Sequence, residues 1–237
     1  MRVLAVIPAR GGSKSIPRKN IISVGGKPLI AWTISQALNS GVIDYIHVST
    51  DDSEIADVAK AHGAQCEFIR PKDLSGDAIG TRAVIYNVIT ELKNRGEEFD
   101  VVVELQPTYC FRGSELIKQS IKIFSEKKDF IDSAITCIRI EDTSHPDYVL
   151  NINSNGLVGF GERPLDEFTR QKLDSKYACR GIVLISRVDA YIRSRSFFSG
   201  NCHPIIIEDQ MRAMDINTPL DLEIISAIAV KYPQIFK

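Results

Sequence analysis

Short, continuous runs of Val, Ile and Leu alternate along the chain with longer stretches in which apolar residues return every third or fourth position. The first pattern suits strands buried on both faces and the second suits helices with one buried stripe; their alternation is the mark of βαβ units and a parallel sheet. Strands are predicted at Val3 to Ile7, Tyr45 to Ser49, Cys66 to Ile69, Asp100 to Leu105, Ala134 to Ile140, Ile182 to Ile185 and Pro204 to Ile207. A helix is predicted from Pro28, which suits a first helical position, through the stripe Leu29, Ile30, Ile34, Ala37 and Leu38 to a stop at Gly41. Others are expected between Asp51-Asp52 and Gly63, from Ala78 to Leu92 and from Ser114 to Phe124. A final helix should open at Thr218-Pro219-Leu220-Asp221, where Thr caps, Pro fits the first turn and Asp completes a capping box.

After Ile140 the alternation breaks. Asn153-Ser154-Asn155-Gly156 supplies the positive φ of a tight turn, so Tyr148 to Val158 reads as a hairpin. The polar stretch from Gly159 to Lys176, with Arg163, Arg170, Lys172 and Lys176, reads as an inserted arm. The expected organisation is one α/β domain over 1–237 with a mostly parallel sheet and an arm over 143–176 inserted within it.

Composition narrows the function classes. In 237 residues, 44% hydrophobic and 25% charged, 29 basic side chains nearly balance 30 acidic ones. This is an ordinary globular composition, and its near neutrality argues against nucleic acid as the main partner. No stretch approaches the roughly 18 apolar residues of a membrane span, and the first residues lack the pattern of a secretory leader. The five cysteines are scattered and never form a CxxC pair, as expected of reduced thiols in a cytoplasmic protein.

Against that neutral background the loop Ala9-Arg10-Gly11-Gly12-Ser13-Lys14-Ser15-Ile16-Pro17-Arg18-Lys19-Asn20 places four cations after the first strand. Ligands of open α/β sheets bind at that edge, and paired glycines let backbone amides approach an anion, so a polyphosphate is the natural occupant. The spacings of a P-loop and of a dinucleotide-binding glycine fingerprint are both absent, which disfavours an ATPase and an NAD-type oxidoreductase. Asp215 and Asn217 flank Ile216 in an extended segment, so both polar groups point to one side while Ile216 packs on the other. Two hard oxygen ligands there suit Mg²⁺, with Mn²⁺ as a substitute. The four histidines form no spaced cluster, and Trp32 reads as packing.

Ile7-Pro8-Ala9-Arg10-Gly11-Gly12-Ser13-Lys14, followed by Ile16-Pro17-Arg18-Lys19-Asn20-Ile21, resembles the opening of the N-acylneuraminate cytidylyltransferases, a family that includes CMP-legionaminic and CMP-pseudaminic acid synthetases. Gly26-Lys27-Pro28-Leu29-Ile30, Ser49-Thr50-Asp51-Asp52, Arg70-Pro71, Leu105-Gln106-Pro107-Thr108, Arg170-Gln171 and Asp215-Ile216-Asn217-Thr218 continue the resemblance in order along nearly the whole chain. It implies a Rossmann-like nucleotide-binding fold and magnesium-dependent attack by the anomeric hydroxyl of a nine-carbon α-keto acid sugar on CTP, releasing pyrophosphate. It also implies a homodimer paired through the arm.

Carried over residue by residue, the resemblance makes Arg10, Lys19 and Asp215 catalytic. It gives the nucleotide Ala9, Arg10, Gly11, Gly12, Ser13, Lys14, Lys19, Asn20, Arg70 and Thr81, with Asn20 at the ribose and Arg70 and Thr81 at the cytosine. Gln106, Arg170, Gln171 and Tyr177 fall to the sugar, and Asp215 with Asn217 to the metal. Departures stand at Asn217, where the family usually has aspartate, at Tyr109-Cys110-Phe111-Arg112 in place of Ser-Pro-Leu-Arg, and at Arg180-Gly181 in place of Asn-Gly. Tyr109 and Phe111 thus hint at a bulkier or more deoxygenated sugar. The rival readings are a nucleotidyltransferase for Kdo with CTP or a sugar phosphate with GTP, and a catalytically silent nucleotide-sugar sensor motivated by Asn217. Kdo enzymes typically carry Gln-Gly-Asp where Gln106-Pro107-Thr108 stands, which argues against that acceptor.

Overall fold

A computed structural model describes residues 1–77, 79–140, 145–146, 151–156, 158–159 and 174–236. The apolar runs form a six-stranded sheet in the order β10-β6-β9-β5-β1-β4, and two short strands, β2 (Ser23–Val24) and β3 (Lys27–Pro28), pair antiparallel outside it. Here β1 is Val3–Pro8, β4 Tyr45–Ser49, β5 Val101–Glu104, β6 Ser133–Arg139, β9 Tyr177–Arg187 and β10 Cys202–Ile207. β1 pairs in parallel with β4 and β5, and β10 with β6. β9 lies antiparallel between β5 and β6. The mostly parallel sheet is therefore as expected, with one reversed strand at its centre.

Both faces are covered, as continuous apolar strands require. On one side α1 (Leu29–Ser40), α2 (Ser53–Ala61) and α4 (Ser114–Lys127) bury Ile30, Ile34, Ile55, Ile117, Ile121 and Phe124 against Ile7, Val48, Val103 and Ile185. On the other, α3 (Thr81–Asn94) and α5 (Val188–Ser194) bring Ile85, Val88, Leu92 and Tyr191 against Leu4, Val6 and Val102. A third cluster joins α1 to α6 (Pro219–Lys231) and the C-terminal turn, where Trp32 stacks on Phe236 at 3.7 Å. Trp32 is packing, as its place in the first helix suggested.

α6 opens with the expected capping box: Asp221 N–H donates to Thr218 Oγ1, and Thr218 N–H donates back to Asp221 Oδ2. α2 is capped by Asp52, whose carboxylate accepts from the amides of Glu54 and Ile55.

Four expectations need correction or restriction. Cys66 to Ile69 is not a strand: Gln65 makes a single bridge to His47, and the chain touches the β4 edge again only where Arg70 N–H donates to Thr50 O. The strand expected at Ile182 to Ile185 runs the full length of β9, beginning at Tyr177. α3 starts at Thr81, and Ala78 lies outside the described residues. Most of the 143–176 arm also lies outside them; within the described part, β7 (Asn151–Ile152) and β8 (Val158–Gly159) pair antiparallel about Gly156 at φ +75°, as the Asn-Gly turn implied.

β6 and β9 pair out of register near the centre. Ile135 faces Leu184, whereas Cys137 faces Cys179, so residues 180–183 of β9 bulge opposite Thr136. Thr136 Oγ1 fills the gap, donating to Arg180 O at 2.6 Å and accepting from Val183 N–H at 3.1 Å. This bulge carries Gly181 toward the site.

Candidate active site

The ends of β1, β4 and β5 open into a cleft of about 290 Å³. Its walls include Arg10, Ser13, Lys14, Lys19 and Asn20 from the first loop, Arg70 and Thr81 from the second crossover, and Gln106 and Thr108 after β5. Residues that the resemblance gathered from distant points of the sequence thus share one cleft at the carboxyl edge of the parallel strands.

The loop cations are held in different ways. Arg10 Nη1 donates to Asp77 Oδ1 at 2.7 Å, and Lys14 pairs with the same carboxylate. Arg18 turns away to Asp52 and Glu54. Lys19 reaches across the fold, donating from Nζ to Ile216 O at 2.8 Å. Burial lowers the Lys19 ammonium from its ordinary value, with the Asp215 carboxylate acting against that and Arg10 adding to it. Lys19 therefore sits between the basic loop and the segment 215–217.

Asn20 is 5% exposed and donates from Nδ2 to Arg10 O at 2.9 Å, pinning the loop to itself. Ser13 lines the cleft. Ala9 does not: it is buried in the core with its amide bonded to Ser49 O. The Gly11 amide is also taken, by Asp51 Oδ1 at 2.9 Å, and a Cβ at Gly11 would stand 2.7 Å from Asp52 Oδ2, so only glycine fits there. A Cβ at Gly12 would meet nothing within 4 Å, which leaves that side of the loop open.

Arg70 is 5% exposed and donates to Ser49 O. Burial lowers its guanidinium, which Asp51 partly offsets, and its buried Nε has no protein partner.

At the other end, Asp215 and Asn217 do face one side while Ile216 is fully buried. The Asn217 amide Nδ2 donates to Asp215 Oδ2 at 2.9 Å, and Asp215 Oδ1 is buried with no hydrogen-bond partner among the described residues. Such an unpaired carboxylate oxygen, close to the Lys19 ammonium, suits a hard divalent cation that takes its other ligands from phosphate and water. Among the described residues no group of three or more His, Cys, Asp or Glu side chains could hold a metal by itself.

Sequence reasoning placed Tyr109 and Phe111 at the sugar; the structure separates them. Phe111 is fully buried in the third core cluster, edge-on to Phe236. Tyr109 is buried too, but its phenol is pushed up to about 12, first by burial and then by the Asp215 carboxylate beside it. Tyr177 lies exposed at the far end of β9 and does not line the cleft. Arg170 and Gln171 lie outside the described residues.

Two buried charges lie under the cleft wall; Glu104 belongs to no motif, and Arg112 stands out in the sequence only as the Arg that the departing segment 109–112 keeps. Glu104, the last residue of β5, is 1% exposed. It accepts from Gln106 Nε2 at 3.0 Å and from Thr81 Oγ1 at 3.2 Å. Arg112 is fully buried and donates to the carbonyls of Ile182 and Gln106, and burial lowers its guanidinium to about 9. A charged residue ending an otherwise apolar run, Val101-Val102-Val103-Glu104, was the signal available for the first. Among the described residues no helix is long and apolar enough to cross a membrane.

Known proteins resemble the chain in sequence and shape. The CMP-N,N'-diacetyllegionaminic acid synthase of Legionella pneumophila is 34% identical over 93% of both chains. A pseudaminic acid cytidylyltransferase of Campylobacter jejuni is 34% identical over 94% of both. In fold, a CMP:2-keto-3-deoxy-manno-octonic acid synthetase complexed with CTP superposes with a TM-score of 0.71 over 98% of this chain and 99% of that one, at 17% identity. Residues 4–155 match the model of the family described as Cytidylyltransferase, and with relatives similar over nearly their full length, the chain belongs to that family of enzymes.

Proposed function

We propose that the chain transfers CMP from CTP to the anomeric hydroxyl of a nonulosonic acid, the class of sugar named for its most similar relatives. In this reaction the sugar oxygen forms a bond to the α-phosphorus, the bond to the bridging oxygen of the β-phosphate breaks, pyrophosphate leaves, and the hydroxyl proton is lost. The observation that carries the reading is the meeting of Lys19 and Asp215 beside a cleft lined by Arg10, Ser13, Lys14, Arg70 and Gln106. Transfer at phosphorus is accelerated mainly by positioning and by neutralising charge, and a set of fixed cations at a sheet edge does both.

In this reading Arg10, Lys14 and Lys19 hold the triphosphate, Arg70 and Thr81 flank the base, and Gln106 meets the sugar. Asp215, through its unpartnered Oδ1, and the Asn217 amide oxygen would hold Mg²⁺. When bound, that ion supplies charge neutralisation on the phosphates and polarisation of the attacking oxygen. Lys19, tied to Ile216 O, keeps the segment 215–217 against the loop. The enzyme would work in the cytoplasm as a homodimer paired through the 143–176 arm.

The test is pyrophosphate release from CTP, GTP, UTP and ATP against sialic, legionaminic, pseudaminic and Kdo acids, with Mg²⁺. Turnover confined to CTP with nonulosonic acids is expected. A GTP row, or CTP turnover with Kdo alone, would overturn the assignment of base or acceptor.

A further inference from the structure

The wall behind the proposed sugar position is more tightly determined than the rest of the cleft. Gln106 is fixed at three points. Its carbonyl accepts from Arg112 Nη2 at 2.6 Å, and its Nε2 donates to Glu104 Oε1 at 3.0 Å. Its amide also lies flat on Gly181, where a Cβ would come within 2.7 Å of Nε2 and 3.0 Å of Oε1. The other Glu104 oxygen is taken by Thr81, so the carboxylate is fully engaged.

Gln106 Oε1, by contrast, has no partner among the described residues and is not buried, and the residue lines the cleft. An amide nitrogen only donates and a carboxylate oxygen only accepts, so the contact admits one orientation: nitrogen inward, oxygen outward. Burial raises the Glu104 carboxyl, but a proton on Oε2, facing Thr81, would leave Oε1 accepting from Nε2 and the orientation unchanged.

We propose that Glu104 is a positioning residue that sets the polarity of the sugar wall, holding Gln106 so that it presents a hydrogen-bond acceptor and thereby selects an acceptor sugar with a donor, a hydroxyl or N-acyl N–H, at that point. The idea rests on the CMP-transfer reading and assigns a task to a side chain that itself touches no substrate. Without Glu104 the amide is free to present either end, and a buried mismatch of donor and acceptor weakens recognition far more than it disturbs the fold.

The experiment is a double-mutant cycle between Glu104→Gln and Gln106→Ala, reading kcat and KM for the sugar at saturating CTP. Glu104→Gln alone should raise the sugar KM about tenfold with kcat changed less than about threefold, the scale of one hydrogen bond. In the Gln106→Ala background it should add nothing, because it acts through that side chain. Equal effects of Glu104→Gln in both backgrounds would overturn the proposal. Should Glu104→Gln fold poorly, Glu104→Met, similar in size and without a polar head, carries the same cycle. A wild-type enzyme that transfers CMP to none of the nonulosonic acids refutes the functional reading instead. The Gln106 side-chain amide then still decides the orientation: its NMR signals should show slow exchange in the wild type and fast exchange in Glu104→Gln, and equal exchange in the two would overturn the role of Glu104.

Discussion

The two ends of the cleft are built on opposite principles. At the phosphate end the cations are at least partly exposed, and Arg10 and Lys14 share one exposed carboxylate, Asp77. Ion pairs of this kind contribute little to folding and exchange readily, so a triphosphate can take over the cations from Asp77 with little loss. At the other end the buried Glu104 and Arg112 both bond to the half-buried Gln106 under the wall. There the partners are fixed before any ligand arrives, and removing one strands the others. In the proposed reading, the end that would handle charge common to every nucleoside triphosphate is adaptable, and the end that would tell one sugar from another is rigid.

The largest effects should come from the buried side. Arg112→Leu leaves the carbonyls of Ile182 and Gln106 without a donor and Glu104 without its nearest buried cation, so a loss of about 3–5 kcal/mol in unfolding free energy is expected. Urea denaturation measures it, and a midpoint unchanged from wild type would show that the brace contributes nothing. His47 extends the test to a buried group with no hydrogen-bond partner among the described residues. Its ring is fully buried on β4, stacks on Phe68 at 4.7 Å, and neither nitrogen is bonded. Burial, reinforced by Arg95, lowers its pKa from 6.5 to about 4. The folded chain thus binds fewer protons than the unfolded one between these values, and stability is full above pH 6.5 and lost as pH falls toward 4. The loss is about 3 kcal/mol by the size of the shift. His47→Leu should remove that part of the pH dependence; parallel profiles for the two proteins would refute it.

Next in size is the junction between the two ends. Lys19→Ala and Asp215→Ala should each lower kcat/KM at least about 100-fold, since both remove charge placed where the phosphates react. Neither should move the melting temperature as Arg112→Leu does. Near-wild-type turnover in either variant would remove that residue from the chemistry.

How much of this was legible follows the same divide. The strands announced themselves because burial on both faces demands unbroken apolar runs, and the cleft because its loop is basic in a neutral chain. β9 was seen only in part: residues 177–181 are mostly exposed and leave no apolar pattern. α5, seven residues long, is too short for a periodicity to show. Cys66 to Ile69 looked like a strand by composition, yet the chain leaves the β4 edge after one bridge. Lys19, Arg70, Gln106 and Asp215, singled out through motifs, come together around the cleft, whereas Glu104 and Asp77 were not singled out and Arg112 was given no role. Each also has a partner far along the chain, Thr81 for Glu104, Ile182 for Arg112 and Arg10 for Asp77, 23 to 70 positions away, a separation no local pattern reports.

The smallest effect should come from Asp77. The bond from Lys14 and the charges of Lys14 and Arg10 hold its carboxyl below the usual range, yet the group is exposed, so its loss should leave the melting temperature unchanged. What Asp77→Asn removes is a competitor. With the carboxylate gone, Arg10 and Lys14 are free for phosphate, and KM for CTP should fall about threefold while kcat holds, an effect that shrinks as added salt screens the exposed charges. A rise in KM would mean that Asp77 instead orients the two cations for the ligand. The phosphate end would then be as preorganised as the sugar wall, and the contrast between the two ends would not hold.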